Sequence, residues 1–139
     1  MFMKSLVLAA AMMAGSSCIA NAAPTKFVQF PVTCASGTTC STEIPLPTGT
    51  RGTYSLKGLS CTWISENVTR VDIGIVKKSN RAQQFLIPII LTAEERAAKI
   101  VRLNSEIIQF VMLNLEHGMT IDFQSSADGQ MAATCYAAF

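Results

Sequence analysis

The chain has 139 residues, of which 50% are hydrophobic and 14% are charged, and its formal net charge is +2. So many apolar residues with so few charged ones exclude a largely disordered chain. So small a net charge excludes the strong electrostatic field that attracts nucleic acid. We therefore expect a folded protein that does not bind nucleic acid.

The first 22 residues have the pattern of a bacterial secretory signal peptide. Lys4 precedes an apolar stretch from Leu6 to Ala14, and Ala20-Asn21-Ala22 forms an A-x-A cleavage site. The apolar stretch is too short to span a membrane, which needs about 20 residues. The pattern predicts a secreted or periplasmic mature chain, residues 23–139, that forms one domain with no membrane span.

Four cysteines remain once Cys18 is removed with the signal peptide: Cys34, Cys40, Cys61 and Cys135. An even number in an exported chain of this size indicates disulfides. The short polar stretch after Cys34 can turn back on itself, so we expect the pairs Cys34–Cys40 and Cys61–Cys135. The loop-entropy relation gives stabilisations of about 2.4 and about 4.5 kcal/mol for these two loops. Zinc is not expected, because the Cys34–Cys40 spacing is too wide.

Residues 26 to 53 predict strands that lie at sheet edges. Residues 26–33 and 43–48 combine β-forming side chains with prolines, which remove hydrogen-bond donors from a sheet. The first stretch predicts an edge strand, and the second predicts an edge strand or an extended connector. Residues 48–53, with two glycines, predict a flexible loop.

Two core strands are expected around the only tryptophan, Trp63. Residues 61–64 and 68–76 are rich in β-forming residues and are joined by a short polar turn. Alternation in residues 53–64 changes phase at Leu59, which predicts a bulge. In the second strand, alternation places Asp72 and Gly74 on the face that meets water. Trp63 and Tyr54 are candidates for stacking on a ligand, but core packing accounts for them better.

The segment from residue 84 to 116 predicts a strand, a helix and a further strand. Residues 84–91 are almost all apolar, so this strand is either buried on both faces or held at a sheet edge by Pro88. Thr92-Ala-Glu-Glu95 is a capping box, which predicts a short helix near 93–102. A continuous helix over 93–116 is the alternative, and it would make the protein α+β.

The C-terminal third predicts a three-stranded antiparallel meander over residues 107–115, 119–124 and 130–136. Asp128-Gly129 is typical of a tight turn. About eight strands with one helix after the sixth predict a mainly all-β chain, specifically an antiparallel β-sandwich or jelly roll.

No combination of residues identifies a reaction, so we expect no catalytic site, no cofactor and no metal site. We expect an exported, non-catalytic binding module for a protein, glycan or surface partner, such as a periplasmic inhibitor or a fimbrial-type component. In an inhibitor, the disulfide-closed loop at residues 34–40 would be the inserting element, since it loses little entropy on binding. The alternative is a small secreted hydrolase that uses His117, the only histidine, with Glu116 or Asp122.

Overall fold

The computed structural model describes residues 25–103 and 112–139. The predicted signal peptide and most of the strand predicted at 107–115 lie outside these residues. In the described part, no helix has the length and apolar character needed to cross a membrane.

Ten strands and one short helix make up the regular structure of the described residues. In chain order they are β1 (Phe27–Cys34), β2 (Thr39–Glu43), β3 (Tyr54–Ser55), β4 (Gly58–Trp63), β5 (Val68–Lys77), β6 (Gln83–Ile90), α1 (Ala93–Ala98), β7 (Ile100–Leu103), β8 (Met112–Leu113), β9 (His117–Ser125) and β10 (Met131–Ala138).

Eight of the strands form two antiparallel sheets that pack face to face as a sandwich. The first sheet has the strand order β1-β10-β4-β7 and the second has the order β2-β9-β5-β6, while β3 and β8 pair separately. The chain crosses between the two sheets after almost every strand, which is the path of a jelly roll. The predicted fold class is therefore confirmed, with the helix after the sixth strand.

The core lies between the two sheets and includes the tryptophan and the disulfide that closes the longer loop. Trp63 is 5% exposed, and its ring meets that of Phe123 edge-on at a centroid distance of 5.9 Å. Cys61 and Cys135 are directly opposite each other on β4 and β10 and are joined by a disulfide. The tryptophan thus packs one sheet against the other, and the disulfide crosslinks two neighbouring strands of the first sheet.

The predicted C-terminal meander is wrong. β8 pairs with β3, β9 lies in the second sheet and β10 lies in the first, so no two of these consecutive strands are neighbours. Alternation specifies which face of each strand is buried, but it does not specify the partner strand. Asp128-Gly129 accordingly lies in a connection between sheets rather than in a hairpin turn.

The bulge predicted at Leu59 is also wrong. Leu59 is in regular register with Ala137 on one side and Leu103 on the other. The phase of the alternation changes because β3 ends at Ser55 and β4, in a different sheet, begins at Gly58.

The helix is shorter than predicted, although the capping box is present. The Thr92 side chain accepts from the Glu95 amide, and the Glu95 carboxylate accepts from the Thr92 amide. The helix ends at Ala98 because Lys99 adopts a left-handed conformation, with φ of 57°. Residues 100–103 then form β7, which buries Val101 against β4, so a continuous helix over 93–116 is excluded.

The long edge strands of the two sheets each carry a proline near the middle. β6 lies at an edge of the second sheet with Pro88, so the edge alternative for this strand is the correct one. β1 lies at an edge of the first sheet with Pro31. Because proline has no amide hydrogen, both edges are poor templates for pairing with another chain.

The prediction that Asp72 and Gly74 meet water is wrong. Asp72 is 1% exposed, and its carboxylate is covered by Arg70, whose Nε lies 2.8 Å from Oδ1 and whose Nη2 donates to Oδ2 at 3.0 Å. Gly74 is buried because Thr120 fills the space in front of it: a Cβ there would lie 2.5 Å from the Thr120 hydroxyl oxygen. Both residues point away from the core, and their neighbours on the sheet cover them.

Candidate functional site

The structure does not bring Glu116, His117 and Asp122 together. His117 begins β9 and Asp122 lies five residues further along it, which is about 16 Å at the rise of a strand. An odd separation also places the two side chains on opposite faces of the sheet. Asp122 accepts a hydrogen bond from the hydroxyl of Ser41 on β2, and Glu116 is exposed.

The His117 ring is held by two amide side chains. Its Nδ1 lies 2.8 Å from Oδ1 of Asn114, and its Nε2 lies 3.2 Å from Oε1 of Gln84 on β6. Among the described residues, neither a carboxylate nor a hydroxyl side chain hydrogen-bonds to this ring. The contacts tie the start of β9 to β6, and they do not form the nucleophile and base arrangement of a hydrolase. The same described residues contain no cluster of three possible metal ligands.

The two aromatic residues considered for ligand stacking are buried. Tyr54 is 7% exposed, and its hydroxyl donates to the backbone carbonyl of His117 at 2.6 Å. Burial raises the pKa of Tyr54, and the negative charge of Glu43 raises it further. The phenol therefore stays protonated at neutral pH and keeps its role as a donor.

The jelly-roll path gathers four connections at one end of the sandwich. They are the loop at 35–38, the turn at 64–67, the segment at 91–99 that includes α1, and the loop at 126–130. Backbone hydrogen bonds join three of them: Ser126 donates to Asn67, and Gly129 donates to Gly37. We call this surface the loop end.

The most prominent feature of the loop end is the loop closed by the Cys34–Cys40 disulfide. Ala35 to Thr39 are all exposed. Two hydrogen bonds anchor the loop. The Gly37 amide donates to the Asp128 carboxylate at 2.6 Å, and the Thr38 carbonyl accepts from the Ser125 amide at 2.7 Å. Gly37 has φ of 109°, a conformation that side-chain-bearing residues rarely adopt. The disulfide, the anchors and the glycine together fix an exposed loop in one shape.

An exposed apolar residue lies on another connection of the loop end, the turn at 64–67. Ile64 is 68% exposed, directly after the buried Trp63. Its carbonyl accepts from the Lys99 ammonium at 3.4 Å, and Lys99 also lies 3.8 Å from the Glu66 carboxylate. The loop end thus combines polar and charged groups with one large exposed apolar side chain. The sequence indicated the disulfide loop, but it did not indicate that Ile64 lies at the same end of the sandwich or that Asp128 anchors the loop.

No family model matches the chain, and no curated protein matches it. Solved structures that resemble it do so only distantly, and they include the following three. Dimeric latent PorU from Porphyromonas gingivalis is 15% identical with a TM-score of 0.38, over 84% of this chain and 13% of that one. The capsid of Helicobacter pylori bacteriophage KHP30 is 7% identical with a TM-score of 0.36, over 80% of this chain and 91% of that one. The structure of Tomato Aspermy Virus is 6% identical with a TM-score of 0.37, over 93% of each chain.

The chain therefore spans 13% of the length of PorU. At these identities and TM-scores the likenesses carry no argument about function.

Proposed function

We propose that the protein is an exported, non-catalytic binding module that engages a protein partner through the loop end. The observation that carries the proposal is the exposed, disulfide-closed loop of residues 34–40, which is held in one conformation before any partner arrives. A loop that is already ordered loses little conformational entropy on binding, so more of the contact energy appears as affinity.

The composition of the surface supports a protein partner. The loop offers small hydroxyl and backbone groups, from Ser36 and Thr38 among others, and Ile64 provides an exposed apolar anchor on another turn of the loop end. Binding loops carried on a rigid sandwich commonly combine adaptable polar groups with a few apolar contacts. Two disulfides are consistent with folding in the periplasm or outside the cell.

The experiment places bulk and charge on the loop without changing its cysteines or its glycine. Ser36→Arg and Thr38→Arg are combined in one variant, and Thr48→Arg, at an exposed position in another loop, is the matched control. Proteins that the immobilised secreted protein retains from the envelope and culture fluid of its producing organism are identified by mass spectrometry. The dissociation constant of each retained protein for the parent protein, the loop variant and the control is then measured by calorimetry.

We expect the loop variant to bind its specific partner at least tenfold more weakly and the control to stay within twofold of the parent protein. A loop variant that folds and binds as tightly as the parent contradicts the proposal. Loss of a hydrolytic activity in a folded His117→Ala variant would instead favour the alternative of a small secreted hydrolase.

A further inference from the structure

A second surface feature lies outside the loop end. It is an open cleft of about 470 Å³ whose lining includes three basic side chains, Lys26, Arg51 and Lys57, and two aromatic rings, Tyr54 and Phe139. We call it the basic cleft. Its volume is in the range of small-molecule binding sites.

Backbone hydrogen bonds fix the positions of two of the basic residues. Lys26 and Phe139 exchange a pair of backbone hydrogen bonds of 2.9 and 2.8 Å at the start of β1 and the end of β10. The Lys57 amide donates to the carbonyl of Ala138 at 2.7 Å. The first sheet thus holds both lysines beside the Phe139 ring, which in turn packs edge-on against Tyr54 at 6.3 Å.

The third basic residue is carried by a loop with a specific backbone shape. Arg51 lies between Gly49 and Gly52, whose φ values are 84° and 68°. A Cβ at either glycine would meet nothing within 4 Å, so the backbone conformation and not lack of space requires glycine. The Thr50 amide and hydroxyl both hydrogen-bond to the carbonyl of Pro47, which closes the turn before Arg51.

The cations of the basic cleft have no ion-pair partner among the described residues, although the negative charge of Glu43 acts on Tyr54, which lines the cleft. Its lining contains no aspartate or glutamate, and within residues 25–103 and 112–139 none of the three cations lies within 4.0 Å of a carboxylate. Three like charges around one cleft repel one another, and an anion placed between them would relieve that repulsion. Arg51 and the lysines can also donate several charge-assisted hydrogen bonds to a carboxylate, sulfate or phosphate group.

We propose that the basic cleft binds an acidic saccharide, that is, a short sugar chain bearing carboxylate or sulfate groups. The cations account for the acidic groups. The hydroxyls of Thr50 and Thr53 and the apolar surface of Phe139 account for the neutral part of such a ligand, which a simple anion does not have. The inference stands apart from the proposed function, because it uses none of the residues of the loop end.

The experiment measures binding of defined probes to the full secreted protein by isothermal titration calorimetry at low and at physiological salt. The probes are a sulfated tetrasaccharide, a neutral tetrasaccharide, inorganic sulfate and a single-stranded tetranucleotide. The variants are Arg51→Gln and Lys57→Gln. Arg96→Gln on α1, an exposed cation away from the cleft, is the matched control. Thermal unfolding of each variant checks that the fold is intact.

We expect the sulfated tetrasaccharide to bind and the neutral one not to bind. Each cleft variant should bind roughly three- to tenfold more weakly, and Arg96→Gln should match the parent protein. Equal loss in Arg96→Gln would mean attraction by net charge alone and would overturn the proposal. Equal affinity for the neutral sugar, for inorganic sulfate or for the tetranucleotide would also overturn the proposal, since the cleft would then show no preference for an acidic sugar.

Discussion

Removing Arg70 should destabilise the protein more than neutralising its partner, Asp72. The Asp72 side chain is 2% exposed and the Arg70 side chain is 44% exposed, so the two ends of this ion pair differ in their access to water. Asp122 is directly opposite Asp72 on the neighbouring strand, which places a second carboxylate beside the first. Without Arg70 the buried carboxylate would have neither a counter-ion nor full hydration.

The expected magnitudes follow from that asymmetry. Breaking a buried ion pair by removing one partner costs about 3–5 kcal/mol, and because water can enter where the half-exposed Arg70 side chain stood, we expect about 2–3 kcal/mol for Arg70→Ala. Asp72→Asn leaves an arginine that can hydrate, so its cost should be about 1 kcal/mol. The decisive variant is the combination of both changes, which should be more stable than Arg70→Ala alone because no charge is left buried.

Free energies of unfolding from urea titrations, with the slope checked for constancy, measure these differences. Arg96→Ala removes an arginine that is exposed on α1 and should stay within about 0.5 kcal/mol of the parent protein. If adding Asp72→Asn to Arg70→Ala lowers the stability further, the two effects are separate losses. The explanation by an uncompensated buried carboxylate would then be wrong.

Three further substitutions test the fold. Replacing Cys61 and Cys135 together by alanine should lower the free energy of unfolding by about 4.5 kcal/mol in urea titrations, since the closed loop spans 74 residues; a loss below about 1 kcal/mol would contradict the entropic estimate. Gly74→Ala should cost about 1–3 kcal/mol by crowding Thr120, and adding Thr120→Ala should recover part of that loss; equal costs with and without Thr120 would refute the steric cause. Pro88→Val should increase association in sedimentation velocity at rising concentration, because it restores a donor on an uncharged edge strand; unchanged sedimentation would mean that other features of β6 protect the edge.

The sequence predicted the class of the fold better than its connections. Period-two alternation correctly located most strands, and the capping box correctly located the start of α1. The meander failed because pairing partners depend on where the chain crosses between sheets, and nothing in residues 125–130 distinguishes a crossing from a hairpin. The end of the helix was misplaced because Ile100 to Leu103 gain more by pairing with β4 than by extending a short helix.

The sequence could not predict the chemistry of the surface, because it does not show which side chains lie next to one another in the folded protein. Alternation correctly placed Asp72 on the face away from the core, but the cover provided by Arg70 depends on the conformation of a long side chain. His117 falls between the strands predicted at 107–115 and 119–124, and the structure places it at the start of β9 with amide partners on β6 and near β8. No pattern in the sequence indicated the basic cleft, because Lys26, Arg51 and Lys57 are far apart in the sequence and come together only in the folded sheets.

The two proposed binding surfaces can be tested separately because the sandwich keeps them apart. Lys26 immediately precedes β1, and Cys34 ends it, so the strand itself holds the basic cleft and the disulfide loop about 26 Å from each other. That separation exceeds the screening length of about 8 Å at physiological salt, so a charge removed from the cleft changes the field at the loop very little. Changes more than about 10 Å apart with no shared contacts usually have additive effects. A defect in partner capture after loop substitution and a defect in sugar binding after Arg51→Gln should therefore appear independently, and either proposal can fail without the other.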